Sequence, residues 1–174
     1  PLLHTRLVDV GWTVDRVGLV LNVLAPSVSL GAAVLAGTLL TRIDGWRLLL
    51  VILPLEALCT FALLPLAAGA AASPFTLPAI LGLFCAHNAA STVVVTLIMG
   101  RAEPGSEGSD FSSQHSLFLL TGFAAGGLAL QLAGSQGYAN ALFAATALMA
   151  LAFAACALMR PGMQGASPLP QAGN

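Results

Sequence analysis

The sequence predicts an all-α, polytopic membrane helix bundle with five transmembrane helices. Hydrophobic residues make up 57% of the 174 and charged residues only 7%, far from the roughly quarter-charged mix of a water-soluble domain. The apolar residues gather in five runs, each near the 20 or so residues that cross about 30 Å of hydrocarbon. These runs are continuous and rich in Ala and Leu, whereas the strands of a membrane barrel are shorter and alternate apolar with polar residues.

Taken in order, the chain opens at Pro1 with no basic stretch before a short apolar core, so it does not read as a signal peptide. Residues 1–16 are expected to hold the end of a truncated span and an outer loop, with an upstream segment missing. The bundle then occupies 17–160. The first span runs from Val17 to Leu40 and stops at Asp44-Gly45. The second runs from Leu48 to Gly69, with kinks expected at Pro54 and Pro65, and stops at Ala72-Ser73-Pro74. The third, Phe75 to Gly100, is closed by Glu103-Pro104-Gly105 and Glu107-Gly108. The fourth runs from Phe111 to Ala133, and Gly134 to Gly137 separate it from the fifth, Tyr138 to Met159. Gly, Pro, Ser and Asp in these breaks are turn formers. Residues 161–174 collect Pro, Gly, Gln and Ser with little to bury, which reads as a disordered tail.

Arginines set the orientation, because cytoplasmic loops hold the excess of Lys and Arg. Arg6 and Arg16 lie on one side, and Arg42, Arg47, Arg101 and Arg160 on the other. Four against two places the C-terminus in the cytoplasm of a multi-pass protein. The absence of lysine excludes a phosphate-cradling GxxxxGK[ST] loop. Six arginines spread over both faces make no stripe for nucleic acid. Cys59, Cys85 and Cys156 lie inside spans without metal-binding spacing, so they read as small apolar packers and no metal is expected. No nucleophile and carboxylate pair is placed beside a histidine, so neither an enzyme nor a cofactor is expected.

Polar groups inside hydrocarbon tend to face protein or a water-filled cavity. On the first span Asn22, Pro26 and Ser29 share a face, and Ala25, Ser29, Ala33 and Gly37 repeat a small residue every fourth position. On the third, Cys85, Asn88, Thr92 and Thr96 form a stripe beside His87 and Ser91. On the fourth, His115, Gly122 and Gly126 share one side, and Gln114 and Thr121 a neighbouring one. Two roles fit these stripes: close helix packing, of which Gly122 and Gly126 are a GxxxG example, or one wall of an aqueous path. Glu56 is the carboxylate deepest within a span, which suits either a proton carrier or a neutral carboxyl bonded to a neighbouring helix. His87 and His115 are further proton-coupling candidates or interhelical hydrogen-bonders. Asp110 is expected to cap the fourth span, opposing its dipole.

The order of features resembles the C-terminal half of a major facilitator superfamily transporter. "D-x-G-W" at Asp9 to Trp12 and the loop after the first span are similar to that superfamily's phrases. Gly37 and Arg42 fit its cytoplasmic GxxxDRxGRR gate motif, although Thr41 replaces the Asp and the next glycine is displaced to Gly45. Gly108-Ser109-Asp110-Phe111-Ser112 followed by Gln114 resembles the "G-T-D-[FY]-T-x-x-Q" phrase of siderophore permeases for rhizobactin and pyochelin, with muropeptide and acetyl-CoA permeases related. The resemblance implies spans eight to twelve of twelve, in a bacterial inner membrane. It implies proton-coupled uptake of a ferric siderophore, and a second half of the molecule or a partner subunit completing the site. Because it makes the second span peripheral, it favours Asn88, His87, Gln114 and His115 over Glu56. A permease for muropeptide or another amphiphilic solute, and a non-transporting scaffold or half-size subunit, are the alternatives. Membrane lipid and a small-molecule solute are the expected partners.

Overall fold

The computed structural model describes residues 2–70, 73–101 and 105–159. The expected tail at 161–174, Arg160, and the turn residues Ala72, Glu103 and Pro104 lie outside the described residues. Within them the chain is helical with no strand. Five helical stretches are long and apolar enough to cross a membrane: Val14–Leu40, Gly45–Ala67, Thr76–Met99, Gly108–Gln136 and Tyr138–Leu158. The chain is an all-α, multi-pass bundle.

A short helix, α1 (Leu2–Asp9), precedes the first span. Gly11, at φ 94°, lets the chain reverse, a conformation that costs glycine little. Thr13 then accepts the Arg16 N–H at 3.3 Å, capping α2 (Val14–Gly18). The cap starts the span three residues before Val17. A π-helical segment, Leu19–Leu24, follows and leads into α3 (Ala25–Leu40). Its cause is local. Pro26 has no N–H for the carbonyl of Asn22 four residues back, and its ring crowds that carbonyl. One extra residue in the preceding turn relieves the conflict, and Ala25 N–H bonds Val20 O five residues back.

Asp44 caps α4 (Gly45–Ala62) by accepting the Arg47 N–H at 3.2 Å, so the second span also starts three residues early. The helix passes through Pro54 without interruption and stops at Leu63, just before Pro65, after which α5 (Leu64–Ala67) completes the crossing. α6 (Thr76–Met99) is the third span. α7 (Glu107–Gln136) begins four residues before Phe111, which corrects the role expected of Asp110. Ser106 holds the cap position, and Asp110 sits one turn inside, where its carboxylate accepts the Ser106 hydroxyl at 2.6 Å. There it still opposes the helix dipole. α7 runs on through Gly134, so the expected four-residue break shrinks to Gly137, at φ 90°, before α8 (Tyr138–Met159).

The first span packs on α6, α4 on α6 and α8, and α7 on α8 with a lighter touch on α6. Leu7, Trp12, Val17, Leu63 and Ile80 anchor one apolar cluster near the Tyr138 end. Ala36, Leu49, Ile52, Ala90 and Val93 anchor a second toward the Arg42 end. Two glycines bring α4 against α6: a Cβ on Gly82 would lie 2.8 Å from Cys59 Sγ, and one on Gly45 2.9 Å from Leu97. Small residues at a crossing permit such backbone approach. Gly122 and Gly126, by contrast, have open space where a Cβ would sit, so their GxxxG pattern packs against nothing among the described residues. At the Tyr138 end the Arg6 Nε donates to Leu66 O at 2.9 Å, and its guanidinium lies 5.3 Å from the Tyr138 ring. That one side chain joins α1, α5 and α8.

Candidate functional site

The polar stripe of α6 satisfies itself. Asn88 Nδ2 donates to Phe84 O at 3.0 Å, the Thr92 hydroxyl to Asn88 O at 2.9 Å, and the Thr96 hydroxyl to Thr92 O at 2.9 Å. Side chains bonded within their own helix need no neighbouring helix to make them tolerable in hydrocarbon. Their outer surface is therefore free to line a cleft.

Across from Phe84 and Asn88 stand Pro26, Ser29, Leu30 and Ala33 of α3, enclosing about 230 Å³. A second hollow of about 520 Å³, sharing Phe84, is lined by Leu3, His4, Leu21, Asn22 and Leu83. Ser29 is buried and donates to Pro26 O at 3.0 Å. The structure thus places Ser29 and Asn88 in one hollow and Asn22 in the adjoining one, the two sharing Phe84 along a groove between the first span and α6, with Thr92 a turn beyond Asn88. The groove offers amide and hydroxyl groups on an apolar floor, with His4 the titratable side chain at its edge. Asn22 sits in the π-helical segment, a geometry that recurs at binding sites.

Gln114 and His115 do not join this groove. They are carried by α7, which packs on α8. Gln114 is exposed. His115 is stacked between Phe111, with ring centroids 5.3 Å apart, and Phe118, 6.1 Å away. Its Nδ1 is buried without a hydrogen-bond partner among the described residues.

The two remaining proton-coupling candidates form a pair. His87 Nδ1 lies 3.1 Å from Glu56 Oε1, joining α6 to α4. Glu56 stands eleven residues into α4 and His87 eleven residues into α6, each about 16 Å from its own helix start at 1.5 Å per residue. The two helices are antiparallel, so both residues fall at mid-depth. The Glu56 side chain is 8% exposed and that of His87 67%. One turn on, the buried Thr60 hydroxyl donates to Glu56 O at 2.9 Å and reaches Met149 Sδ of α8 at 3.5 Å.

At the Arg42 end, Gly37 has open space around its Cα and Arg42 is exposed. The carboxylate nearest in sequence, Asp44, is committed to capping α4. Arg101 lies over the Trp46 ring at 5.6 Å, tying the α6–α7 connection to the start of α4. Cys59, Cys85 and Cys156 are free and partly buried. His4 and Phe84 were not among the residues expected to line the site. Phe84 lies four residues before Asn88, so extending the α6 stripe by one turn would have found it. His4 had no sequence signal, because its place beside Leu83 and Phe84 depends on how α1 packs on its neighbours in three dimensions.

Comparison with family models, with curated proteins and with solved structures finds no match for this chain.

Proposed function

We propose that this chain forms one half of a secondary transporter in a bacterial inner membrane, with its C-terminus in the cytoplasm. The observation that carries this reading is the two adjoining hollows that hold Asn22, Ser29 and Asn88 at a π-helical segment, together with the mid-depth Glu56–His87 pair where α6 meets α4. Polar groups at that depth mark solute and proton paths. Apolar side chains cover another side of the bundle, with Val51, Leu55, Leu58 and Phe61 of α4 and Leu148 and Leu151 of α8 exposed as lipid-facing residues would be. A second set of helices, from the same protein or a partner subunit, closes the groove from the other side. The favoured cargo is a ferric siderophore taken up with protons; a muropeptide or another amphiphilic solute fits the same groove chemistry.

The test is uptake of labelled ferric siderophores by iron-starved cells lacking the gene. Complementation with the intact gene restores uptake, and with Asn22→Ala plus Asn88→Ala lowers it at least about tenfold, near the cost of two lost hydrogen bonds. Unchanged uptake of every siderophore in the deletion strain refutes the cargo.

The open Gly122–Gly126 face of α7 favours a second reading, a scaffold that binds another membrane helix there. In that case Gly122→Leu plus Gly126→Leu abolishes a co-purifying subunit, and Asn88→Ala leaves it bound.

A further inference from the structure

A carboxylate and an imidazole at mid-depth must each have somewhere to put charge. Glu56 is almost wholly covered, and His87 Nδ1 stands within hydrogen-bond distance of its Oε1. His87 is two-thirds exposed, and an imidazole in that position is costly against lipid, so its open side faces water or other protein. It lies next in sequence to Asn88, which lines the groove. A buried acid reached through an exposed base is the arrangement of a proton relay.

We infer that Glu56 and His87 form a proton-binding site in which His87 is the port to water and Glu56 the buried store. The cycle balances with one proton. A hydronium ion gives its proton to Nε2 of neutral His87 and leaves as water, giving the imidazolium. The Nδ1–H bond then breaks, its electron pair stays on the ring, and the proton bonds Oε1 of the Glu56 carboxylate across 3.1 Å. The products are a neutral carboxylic acid and a neutral imidazole, and the reverse sequence returns the proton. No other reactant is needed.

Few other ionisable residues stand on the elements packed around the pair. Cys59 on α4 and Cys85 on α6 are the nearest ionisable side chains in sequence, three and two residues from Glu56 and His87. α8 carries only Tyr138 and Cys156, and the first span only Asp15 and Arg16, near its α1 end. α7 brings Glu107, Asp110 and His115, all in its first three turns. As the proton site of the proposed transporter the pair rests on that reading; as a relay it does not.

The experiment uses the whole protein in liposomes, with the carboxylic-acid C=O stretch followed by infrared spectroscopy after a pH jump between about 4 and 9, the span of ordinary carboxyl and imidazole titration. A pH-dependent band missing from Glu56→Gln assigns the signal. His87→Ala then slows its appearance about a hundredfold, the low side of general acid–base contributions, and added imidazole restores the rate. A band that survives Glu56→Gln, a rate unchanged in His87→Ala, or a slowed rate that imidazole does not rescue overturns the relay. The readout is independent of any solute, so a rescued relay without siderophore uptake supports the relay and counts against the transport reading alone.

Discussion

The crossing of α4 and α6 holds the proton pair in register, and Gly82→Ala tests it. A Cβ added there lies 2.8 Å from Cys59 Sγ, about 1 Å inside the usual 3.5–4.0 Å contact of non-bonded heavy atoms. Overpacking of that size costs about 1–3 kcal/mol. Alanine returns about 1 kcal/mol of helix propensity in a helix interior, so the single variant loses about 0–2 kcal/mol. Removing the sulfur by Cys59→Ala leaves the nearest remaining atom, Cys59 Cβ, at 4.0 Å, an ordinary contact. The double variant therefore recovers the whole overlap penalty, and the cycle yields a favourable coupling of about 1–3 kcal/mol. Reversible unfolding of the four proteins in mixed detergent micelles supplies the numbers. A coupling below about 0.5 kcal/mol, the range in which independent sites add, would refute the close approach of the two helices.

Other consequences are smaller or more local. Arg6→Ala removes the bond to Leu66 O and the contact with Tyr138, and should cost about 1–3 kcal/mol, read as faster hydrogen exchange around Leu66 to Gly69. Arg6→Lys restores little of this, because an ammonium lacks the planar fork. Ser106→Ala deletes the 2.6 Å bond to Asp110 and should fray the first turn of α7 by about 0.5–1.5 kcal/mol, seen in exchange of the Gly108 to Asp110 amides. Pro26→Ala returns an N–H to Asn22 O and should turn the π segment into ordinary α-helix. Distance measurements between spin labels on either side of Leu19–Leu24 should then change while overall stability holds or rises, and an unchanged distance would disconnect the proline from the π turn.

The spans were legible because continuity of apolar residues is a property of the chain in one dimension. Their ends were less so. Thr13 and Asp44 cap helices that begin three residues before the apolar runs, and α7 extends past Phe111 through Gly108, where hydropathy alone suggests a turn. Asn22 and Ser29 could be grouped with each other from helical spacing, since both stand on one helix. Asn88 joined them only through the packing of α6 on α3. The pairing of Glu56 with His87 was hidden for the same reason: periodicity reports which residues share a face, not which face of which neighbour they meet. A peripheral placement of the second span argued against Glu56, yet its carboxylate reaches His87 because Gly82 lets α4 come close. Gln114 and His115 show the converse, since a polar face on α7 gained no groove when α7 settled against α8.

The Arg6 contacts also order events in biosynthesis. One member stands on α1, and its ring partner, Tyr138, opens α8, with four membrane-crossing stretches between them. A chain made from its N-terminus has to produce and insert four crossings before that partner exists. Arg6 therefore waits, with Leu66 O as its first available acceptor, and gains the aromatic contact when α8 arrives.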